Sequence, residues 1–457
     1  MFTLIVVLIL GLMIVFFEIW RWRKIKFIDF LRGFNIVYFI IYFLAPSYII
    51  LFDFKVDSLP PSSMWIFNIN YKDAYWSFLA SVISVIGFFC TVVGYYLGLS
   101  IFRNIGCSIN FKLNKISDSY WLLLSIIVLF FGFFSLGLYI YKRSAPLFDL
   151  IMYSGLLRSG IKVKGVEETS FTFLTFSLIV TFSSYVLLGL SLNKFSSFKK
   201  RFLYFLGFGI SGILSLLVLI LKAGRLHLIN YLLVVFLTLY STLEKRIFRI
   251  LFLVLSLGVS LSIILYGKYW FGIRFGKPVY NSLQDIFSNF FAEFSFPYLS
   301  LINILCNVPI KTSYRYFLDF PLGILRIPLG LISKILDINI DFPLTLSQEN
   351  TLIILGTEKG GIPVDILGAG YFSANIFGVV FIMFCLGMLL ALFERIFSNV
   401  SNPVLRSLKI AWILYFSTMV VLYADPAILL WDGVYLIFPT IVFLILYLLL
   451  NFKKYSF

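Results

Sequence analysis

The stretch FTLIVVLILGLMIVFFEIW, residues 2–20, is followed at once by RWRKIK at 21–26, and together these segments decide the fold class. The first has the roughly 20 apolar residues that an α-helix needs to cross a bilayer. No basic residue precedes it, so it does not have the pattern of a cleavable signal peptide. Because basic residues flank the cytoplasmic ends of spanning helices, RWRKIK predicts that this helix ends in the cytoplasm and that Met1 lies outside.

The composition extends this interpretation to the whole chain. Hydrophobic residues make up 61% of the 457 residues and charged residues only 13%, against about a quarter charged in soluble domains. Lipid-exposed backbone must be hydrogen-bonded internally, which predicts helical spans. The alternating ten-residue segments of an outer-membrane barrel are absent. We therefore predict an all-α polytopic membrane protein in which residues 1–457 form one membrane domain.

Eleven apolar runs are long enough to be predicted spans. They lie at about 2–20, 30–52, 74–101, 119–141, 171–192, 202–221, 226–243, 248–266, 371–393, 408–424 and 434–451.

The distribution of basic residues supports this count. The predicted cytoplasmic connections are RWRKIK, FRNIGCSINFKLNK, NKFSSFKKR, STLEKRIFR, ERIFSNVSNPVLRSLK and the tail NFKK. All of them are short and basic, so the positive-inside rule holds without interruption and places the C-terminus in the cytoplasm. Much of the net charge of +16 is explained in this way, and it does not indicate a nucleic-acid partner.

Two of the predicted outer connections are long. They are residues 141–170 and residues 267–370, and the second is too long to be structureless in a compact protein. Within it, SLQDIFSNFFAEFSFPYLSLINIL is predicted to be an amphipathic helix on the membrane surface. FPLGILRIPLGLISKIL is too short to span and is predicted to be re-entrant or interfacial.

A short outer connection, KAGR at 222–225, carries unexpected positive charge. Gly224 is predicted to supply a tight turn and Arg225 to begin the next helix, whose free N–H groups attract anions. With Lys222, Arg225 would form a phosphate or pyrophosphate site, and His227, the sole histidine, could transfer protons. The alternative is that both cations extend to the membrane interface and that His227 only packs in the bundle.

The long outer connections carry further candidate residues. Glu293 in FFAEFSF and Glu349 in LSQENT could act as the base for an acceptor hydroxyl, or could simply pair with loop arginines. Aromatic neighbours of the arginines suit sugars, although an interfacial aromatic belt explains most of them. The arginines that could bind pyrophosphate or glycan are Arg158, Arg274, Arg315 and Arg326.

Several classes of protein are disfavoured. The chain has no Walker loop and no GxSxG elbow, and its predicted spans contain almost no carboxylates of the kind that proton or sodium antiporters use. The scattered cysteines and the single histidine predict no metal site.

Two motifs resemble those of the bacterial O-antigen polymerases, the Wzy-type oligosaccharide repeat-unit polymerases. KAGRLHLINYLL at 222–233 is similar to the family's Gly-Arg at the start of an apolar helix, although Leu226 and His227 replace the usual small residues. The stretch 356–397, GTEKGGIPVDILGAGYFSANIFGVVFIMFCLGMLLALFERIF, is similar to the pattern that ends the family's large outer loop. The architecture, about eleven spans with one large late outer loop, also agrees.

The resemblance implies a GT-C-like membrane glycosyltransferase of lipopolysaccharide biosynthesis in the bacterial inner membrane. It would join lipid-linked repeat units at the periplasmic face by moving the growing glycan from undecaprenyl pyrophosphate to the sugar of a new unit, without cofactor, metal or nucleotide. Its expected partners are the undecaprenyl-pyrophosphate-linked oligosaccharide, the lipid bilayer and a chain-length regulator protein. An O-antigen ligase and a repeat-unit flippase are the alternatives, and the lack of a loop histidine favours the polymerase over the ligase.

Overall fold

The computed structural model describes residues 2–22, 28–54, 61–103, 113–114, 116–158, 162–167, 172–243, 246–270, 282–336, 342–357, 361–398, 400 and 402–452. All regular secondary structure in these ranges is helical. The helices are α1 (Phe2–Trp22), α2 (Phe30–Phe52), α3 (Ala74–Ile101), α4 (Asp118–Arg143), α5 (Leu147–Met152), α6 (Ser154–Arg158), α7 (Thr172–Ser191), α8 (Phe198–Leu221), α9 (Arg225–Thr242), α10 (Arg246–Trp270), α11 (Leu283–Asn307), α12 (Asp319–Leu336), α13 (Leu346–Leu355), α14 (Ile366–Ile396), α15 (Pro403–Leu414), α16 (Pro426–Asp432) and α17 (Val434–Phe452).

The prediction of a polytopic helical membrane protein is confirmed at this level. Among the described residues, nine helices are long and apolar enough to cross a bilayer, namely α1 to α4, α7 to α10 and α14. A tenth span is formed if α16 and α17, which are interrupted at Gly433, are taken together. The predicted span at 408–424 is helical over most of its length, with α15 followed by π-helical turns over Tyr415–Val420, and it is not among these nine helices.

The chain divides into two compact units, each assembled from separate pieces of sequence. Unit 1 comprises Met1–Cys107, Tyr280–Ser398 and Tyr415–Trp431, and unit 2 comprises Ser108–Val279, Asn399–Leu414 and Asp432–Phe457.

In unit 1, α3 and α14 form the most extensive helix pair. Gly94 on α3 lies against the backbone of Phe384, and Gly387 on α14 lies against the backbone of Thr91. A side chain at either glycine would clash with the facing backbone. Small residues therefore allow these helices to approach closely, as is common where membrane helices pack.

The predicted connection at 267–370 is helical over much of its length. Helix α11, which contains the predicted amphipathic segment, packs against α2, α3 and α14 of unit 1. Its C-terminal half is buried, with Tyr298, Leu301 and Leu305 at most 2% exposed. Helix α12 contains the broken apolar segment and is 18 residues long.

In unit 2, α7 is the central helix and packs against α4, α8 and α15. Every residue of its stretch Val180–Ser191 is buried. Gly189 of this helix lies against the backbone of Val404 at the start of α15. A helix that is buried on all sides by other helices is the expected centre of a membrane bundle.

Candidate functional site

The turn between α8 and α9 in unit 2 contains the charged stretch singled out in the sequence. Helix α9 begins at Arg225, as predicted, and its N-cap Gly224 provides no side-chain cap. The turn geometry differs from the prediction, because Ala223 has the left-handed backbone conformation (φ 50°) and Gly224 has a φ of −94°. The strained residue of the turn is therefore the alanine, and Gly224 does not supply a positive φ.

Lys222 does not lie free at a membrane interface. Only 9% of it is exposed, and its Nζ donates to Oδ1 of Asp432 over 2.7 Å. Burial lowers the pKa of Lys222, while the negative charge of Asp432 opposes that shift. The charge of Lys222 is therefore offset inside the protein by Asp432, and its predicted role in an anion site stays a prediction.

His227 and Arg158 complete this cluster. His227 Nε2 lies 3.4 Å from Lys222 Nζ and 3.7 Å from Asp432 Oδ1. Arg158, at the end of α6, donates from a terminal guanidinium nitrogen to the carbonyl of Ala223 over 2.7 Å. Residues from three separate parts of the sequence thus meet at the start of α9, and we call Arg158, Lys222, His227 and Asp432 the α9 cluster.

Arg158 and Arg225 differ from Lys222 in their exposure and in their hydrogen-bond partners. Arg158 is exposed and Arg225 is partly exposed. Arg225 is directed to α10, where it donates to the carbonyl of Ile264 over 3.4 Å. Since a guanidinium has five N–H donors, the backbone bond made by exposed Arg158 leaves it capacity to bind an anion. These arginines are better placed for an anion than Lys222.

His227 also borders a small internal cavity. The cavity is lined by Leu178 and Thr181 of α7, by Leu219 of α8 and by the phenolic rings of Tyr185, Tyr231 and Tyr435. The ring of Tyr435 lies 6.4 Å from that of His227. His227 is 8% exposed, so the packing role and the proton-transfer role both remain compatible with its position.

A second polar cluster lies in unit 1, where the chain passes from α11 to α13. Arg315 forms a close ion pair with Glu349, and Thr312 donates to the same carboxylate. Another guanidinium nitrogen of Arg315 lies 3.9 Å from Oδ1 of Asp319. Glu349 is thus paired with a loop arginine, which is the alternative role that the sequence left open for it.

Arg326 and Asp319 border a surface pocket in unit 1. The pocket is formed by the first two turns of α12, the segment 342–345 and the residues around Asp425. Arg326 donates to the carbonyl of Pro343 over 3.2 Å and lies over the ring of Phe342. Burial raises the pKa of Asp319 to about 6; Asp425 adds to the shift and Arg315 opposes it.

Asp319, Asp425 and Asp432 were not among the residues that the sequence selected for a site. All three lie beside interruptions in apolar helical sequence, near Pro321, Pro426 and Gly433. A carboxylate next to such a break could have indicated these residues in the sequence, because an interrupted helix can bring polar groups into the interior.

Helix α14 is interrupted close to Arg315 in the second polar cluster. Ala374 and Asn375 have non-helical backbone angles, with φ 56° and ψ −148° at Asn375. The carbonyls of Phe372 and Ser373 accept hydrogen bonds from the backbone N–H groups of Arg315 and Tyr316, over 2.9 and 2.8 Å. The broken turn is therefore satisfied by protein backbone, as an interruption at membrane depth requires.

The remaining predicted site residues are dispersed. Glu293 lies near the middle of α11 and is partly buried, and it is not a member of either cluster. Arg274 lies outside the described residues. Within the described ranges, no three histidine, cysteine or acidic side chains come together in a way that could bind a metal ion.

Unit 1 also contains an ionic network that the sequence analysis did not anticipate. Arg21 pairs with Glu18 over 2.5 Å and with Asp29. Arg32 Nε and Asn35 Nδ2 also donate to Glu18, over 3.0 and 2.5 Å. Although the predicted spans contain few carboxylates, several charged side chains therefore lie close together at the end of α1. These charges are buried or partly buried, and mutual pairing makes such burial tolerable.

Comparison with known proteins identifies no relative: no family model matches the chain, and neither the curated proteins nor the solved structures contain a match.

Proposed function

We propose that this protein is a membrane glycosyltransferase that polymerises lipid-linked O-antigen repeat units. The growing glycan would move from undecaprenyl pyrophosphate to a sugar of a new unit. The observation that carries the proposal is the α9 cluster, where Arg158 and its neighbours surround the uncapped start of α9 next to Arg225. A helix N-terminus with nearby guanidinium groups suits a pyrophosphate.

In this proposal the two arginines and the lysine have different roles. Arg225 and Arg158 bind the pyrophosphate and stabilise the negative charge that it gains as the glycan leaves. Lys222 and Asp432 hold the turn in place through their ion pair. His227 is near enough to the pair to transfer a proton within the cluster.

A repeat-unit flippase is the second candidate function. Helix α14 is broken at Ala374–Asn375, and α16 and α17 form an interrupted pair. Discontinuous helices and buried charges are typical of the binding sites of secondary transporters. The ionic network around Glu18 is a further observation that favours this candidate.

Deletion of the gene, followed by gel analysis of the surface glycan, separates the candidate functions. A polymerase mutant should show lipopolysaccharide core that carries a single repeat unit. Bare core with accumulated lipid-linked polymer would indicate the O-antigen ligase, and failure of lipid-linked units to reach the outer face would indicate the flippase.

The anion site is tested by Arg225→Ala in the complemented deletion strain. Loss of a charge-assisted ligand should slow extension by roughly tenfold or more, and long chains should disappear while the protein level in the membrane is unchanged. Arg103→Ala is the matched control, because Arg103 is exposed and lies in unit 1. Normal chain lengths with Arg225→Ala would contradict a role for Arg225 in pyrophosphate binding.

A further inference from the structure

The pocket beside Asp319 in unit 1 contains an unsatisfied polar atom. Asp319 is the first residue of α12 and is only 7% exposed. Its Oδ2 has no hydrogen-bond partner among the described residues, and the residue lines the pocket. A buried carboxylate oxygen without a donor is costly, so a ligand that donates a hydrogen bond at this point would remove the cost.

The neighbouring charges limit what that ligand can be. Both oxygens of Asp425 are used, since Oδ2 accepts from the backbone N–H of Ser347 over 2.9 Å and Oδ1 from that of Ala427 over 3.1 Å. Arg326 lines the same pocket, and Arg315 lies 3.9 Å from Asp319. A cation in the pocket would therefore be repelled by two guanidinium groups, and an anion would be repelled by two carboxylates.

A neutral molecule rich in hydroxyl groups avoids both conflicts. A hydroxyl can donate to Asp319 Oδ2 and at the same time accept from Arg326. The aromatic ring of Phe342 and the ring of Pro343 also line the pocket, and they offer apolar surface to the C–H face of a sugar ring. Carbohydrate is the class of ligand that combines these features.

We propose that this pocket receives a hydroxyl group of one sugar residue of the oligosaccharide, and that this hydroxyl donates a hydrogen bond to Asp319. This inference rests on the proposed function for the origin of the sugar. It adds Asp319, Arg326 and the segment 342–345 as a glycan subsite in unit 1.

Binding to the subsite should depend on pH. The charged groups that face Asp319 are Arg315, Arg326 and Asp425, and Arg315 is itself paired with Glu349. The carboxylate form of Asp319 makes the stronger, charge-assisted hydrogen bond. Since its pKa is about 6, affinity should be highest above that pH and should fall as Asp319 becomes protonated.

The test is direct binding to the purified full-length protein in detergent. The probe is the free oligosaccharide released by mild acid from the lipid-linked units of the deletion strain. At pH 7.5, Asp319→Asn should weaken its binding by roughly tenfold, because a charge-assisted hydrogen bond is lost, and the difference should shrink at pH 5. The control is Asp53→Asn, which removes the charge of a half-exposed carboxylate elsewhere in unit 1.

Thermal unfolding separates loss of a ligand contact from loss of the fold. Folding raises the pKa of Asp319 from a usual value of about 3.9 to about 6, so the folded state binds the proton more tightly. The contribution of Asp319 to stability is therefore fully present below pH 4 and is lost as the pH rises through 6. Asp319→Asn avoids this loss, and it should unfold at a higher temperature than the wild type at pH 7.5 and at a similar temperature below pH 4.

Weaker binding together with higher stability would support the subsite. Equal affinity of wild type and Asp319→Asn at pH 7.5, or no binding of the oligosaccharide by the wild type, would overturn it. Extension of intact lipid-linked units by the wild-type protein is measured separately. If the wild type extends lipid-linked units while Asp319→Asn binds the oligosaccharide normally, the subsite is wrong and the proposed polymerase activity stands. If extension fails while the wild type binds the oligosaccharide and Asp319→Asn binds it weakly, the subsite stands and the polymerase activity is wrong.

Discussion

Lys222 and Asp432 are 210 residues apart in the sequence and form a partly buried ion pair in unit 2. Taking either charge out of water is costly, and the partner and the surrounding hydrogen bonds offset that cost. Such a pair contributes little net stability compared with an apolar pair. Removing only one partner is different, because the other charge then remains in the interior without compensation.

Lys222→Met should therefore destabilise the protein by about 3 kcal/mol, the low end of the range for a buried pair, because Asp432 keeps 21% side-chain exposure. The double variant Lys222→Met with Asp432→Leu should recover much of this loss. The measurement is thermal unfolding in detergent, followed by tryptophan fluorescence.

Lys72→Met is the control for this prediction. Lys72 pairs with Asp53 at the surface, with 68% of its side chain exposed, and a pair of this kind contributes at most about 1 kcal/mol. If Lys222→Met is no more harmful than Lys72→Met, then the Lys222–Asp432 pair does not stabilise the turn.

At the residue scale, the features that could be predicted are those with a local signal in the sequence. Gly224 and Arg225 predicted the start of α9 because a glycine followed by a charge interrupts an apolar run. The partner of Lys222 could not be predicted, because no local pattern links positions 222 and 432. The same limit applies to Arg158, whose bond to Ala223 joins two connections that are far apart in the sequence.

Helix α14 shows what a motif can and cannot predict at the scale of an element. Hydropathy predicted a span at 371–393, and α14 covers it. Hydropathy did not predict the break at Ala374–Asn375, because an apolar run can contain a local change of backbone angle without a change of composition. The residues that satisfy the freed carbonyls, Arg315 and Tyr316, come from a distant segment.

The break restricts which residue types can occupy position 375. Asn375 has φ 56° and ψ −148°, a backbone conformation outside the left-handed helical region that glycine adopts without strain and β-branched residues do not. Its side-chain oxygen also accepts a hydrogen bond from the N–H of Ile376 over 2.7 Å. Asn375→Val should lower stability by about 1–3 kcal/mol, whereas Asn375→Gly should be tolerated, as judged by unfolding temperature in detergent.

Ile376→Val gives the background for this comparison, since Ile376 is partly exposed and follows the break directly. Its loss should be smaller than that of Asn375→Val. Equal unfolding temperatures for Asn375→Val and Asn375→Gly would mean that the helix continues through residue 375 without a break.

At the scale of the whole molecule, the predicted alternation of the spans agrees with contacts inside each unit. In unit 2, Arg158 and Ala223 belong to two connections that were both predicted on the outer side, and they are hydrogen-bonded. Ser196, in a connection predicted to be cytoplasmic, donates over 2.7 Å to Asp118, which begins α4 just after another such connection.

The same agreement is present in unit 1. Arg395 donates to the carbonyl of Leu99 over 2.9 Å, and the N–H of Phe30 donates to Glu394 over 3.1 Å. These residues lie in or beside the connections at 21–26, 102–115 and 394–409, all of which were predicted to be cytoplasmic. Hydropathy and charge predicted that these connections share a side, and the topology as a whole stays a prediction. They could not predict that the chain forms two units of interleaved segments, because that depends on packing between distant helices.

The last prediction concerns which side of the membrane each connection faces. The two connections that flank α7 provide a test. Lys164 and Phe195 lie on either side of α7 and are both exposed, Phe195 completely. In a variant whose four cysteines are replaced by serine, Lys164→Cys should react with a membrane-impermeant maleimide once the outer membrane is made permeable. Phe195→Cys should react only after the inner membrane is also opened.

This labelling result bears directly on the proposed chemistry. Because Arg158 contacts Ala223 and α7 and α8 each cross the membrane once in the predicted topology, the α9 cluster lies on the same side as Lys164. Labelling of Lys164→Cys from outside would place the arginines where the pyrophosphate of outward-facing lipid-linked units is found. Labelling of Phe195→Cys from outside instead would place them in the cytoplasm, and a polymerase acting on outward-facing units would then be contradicted.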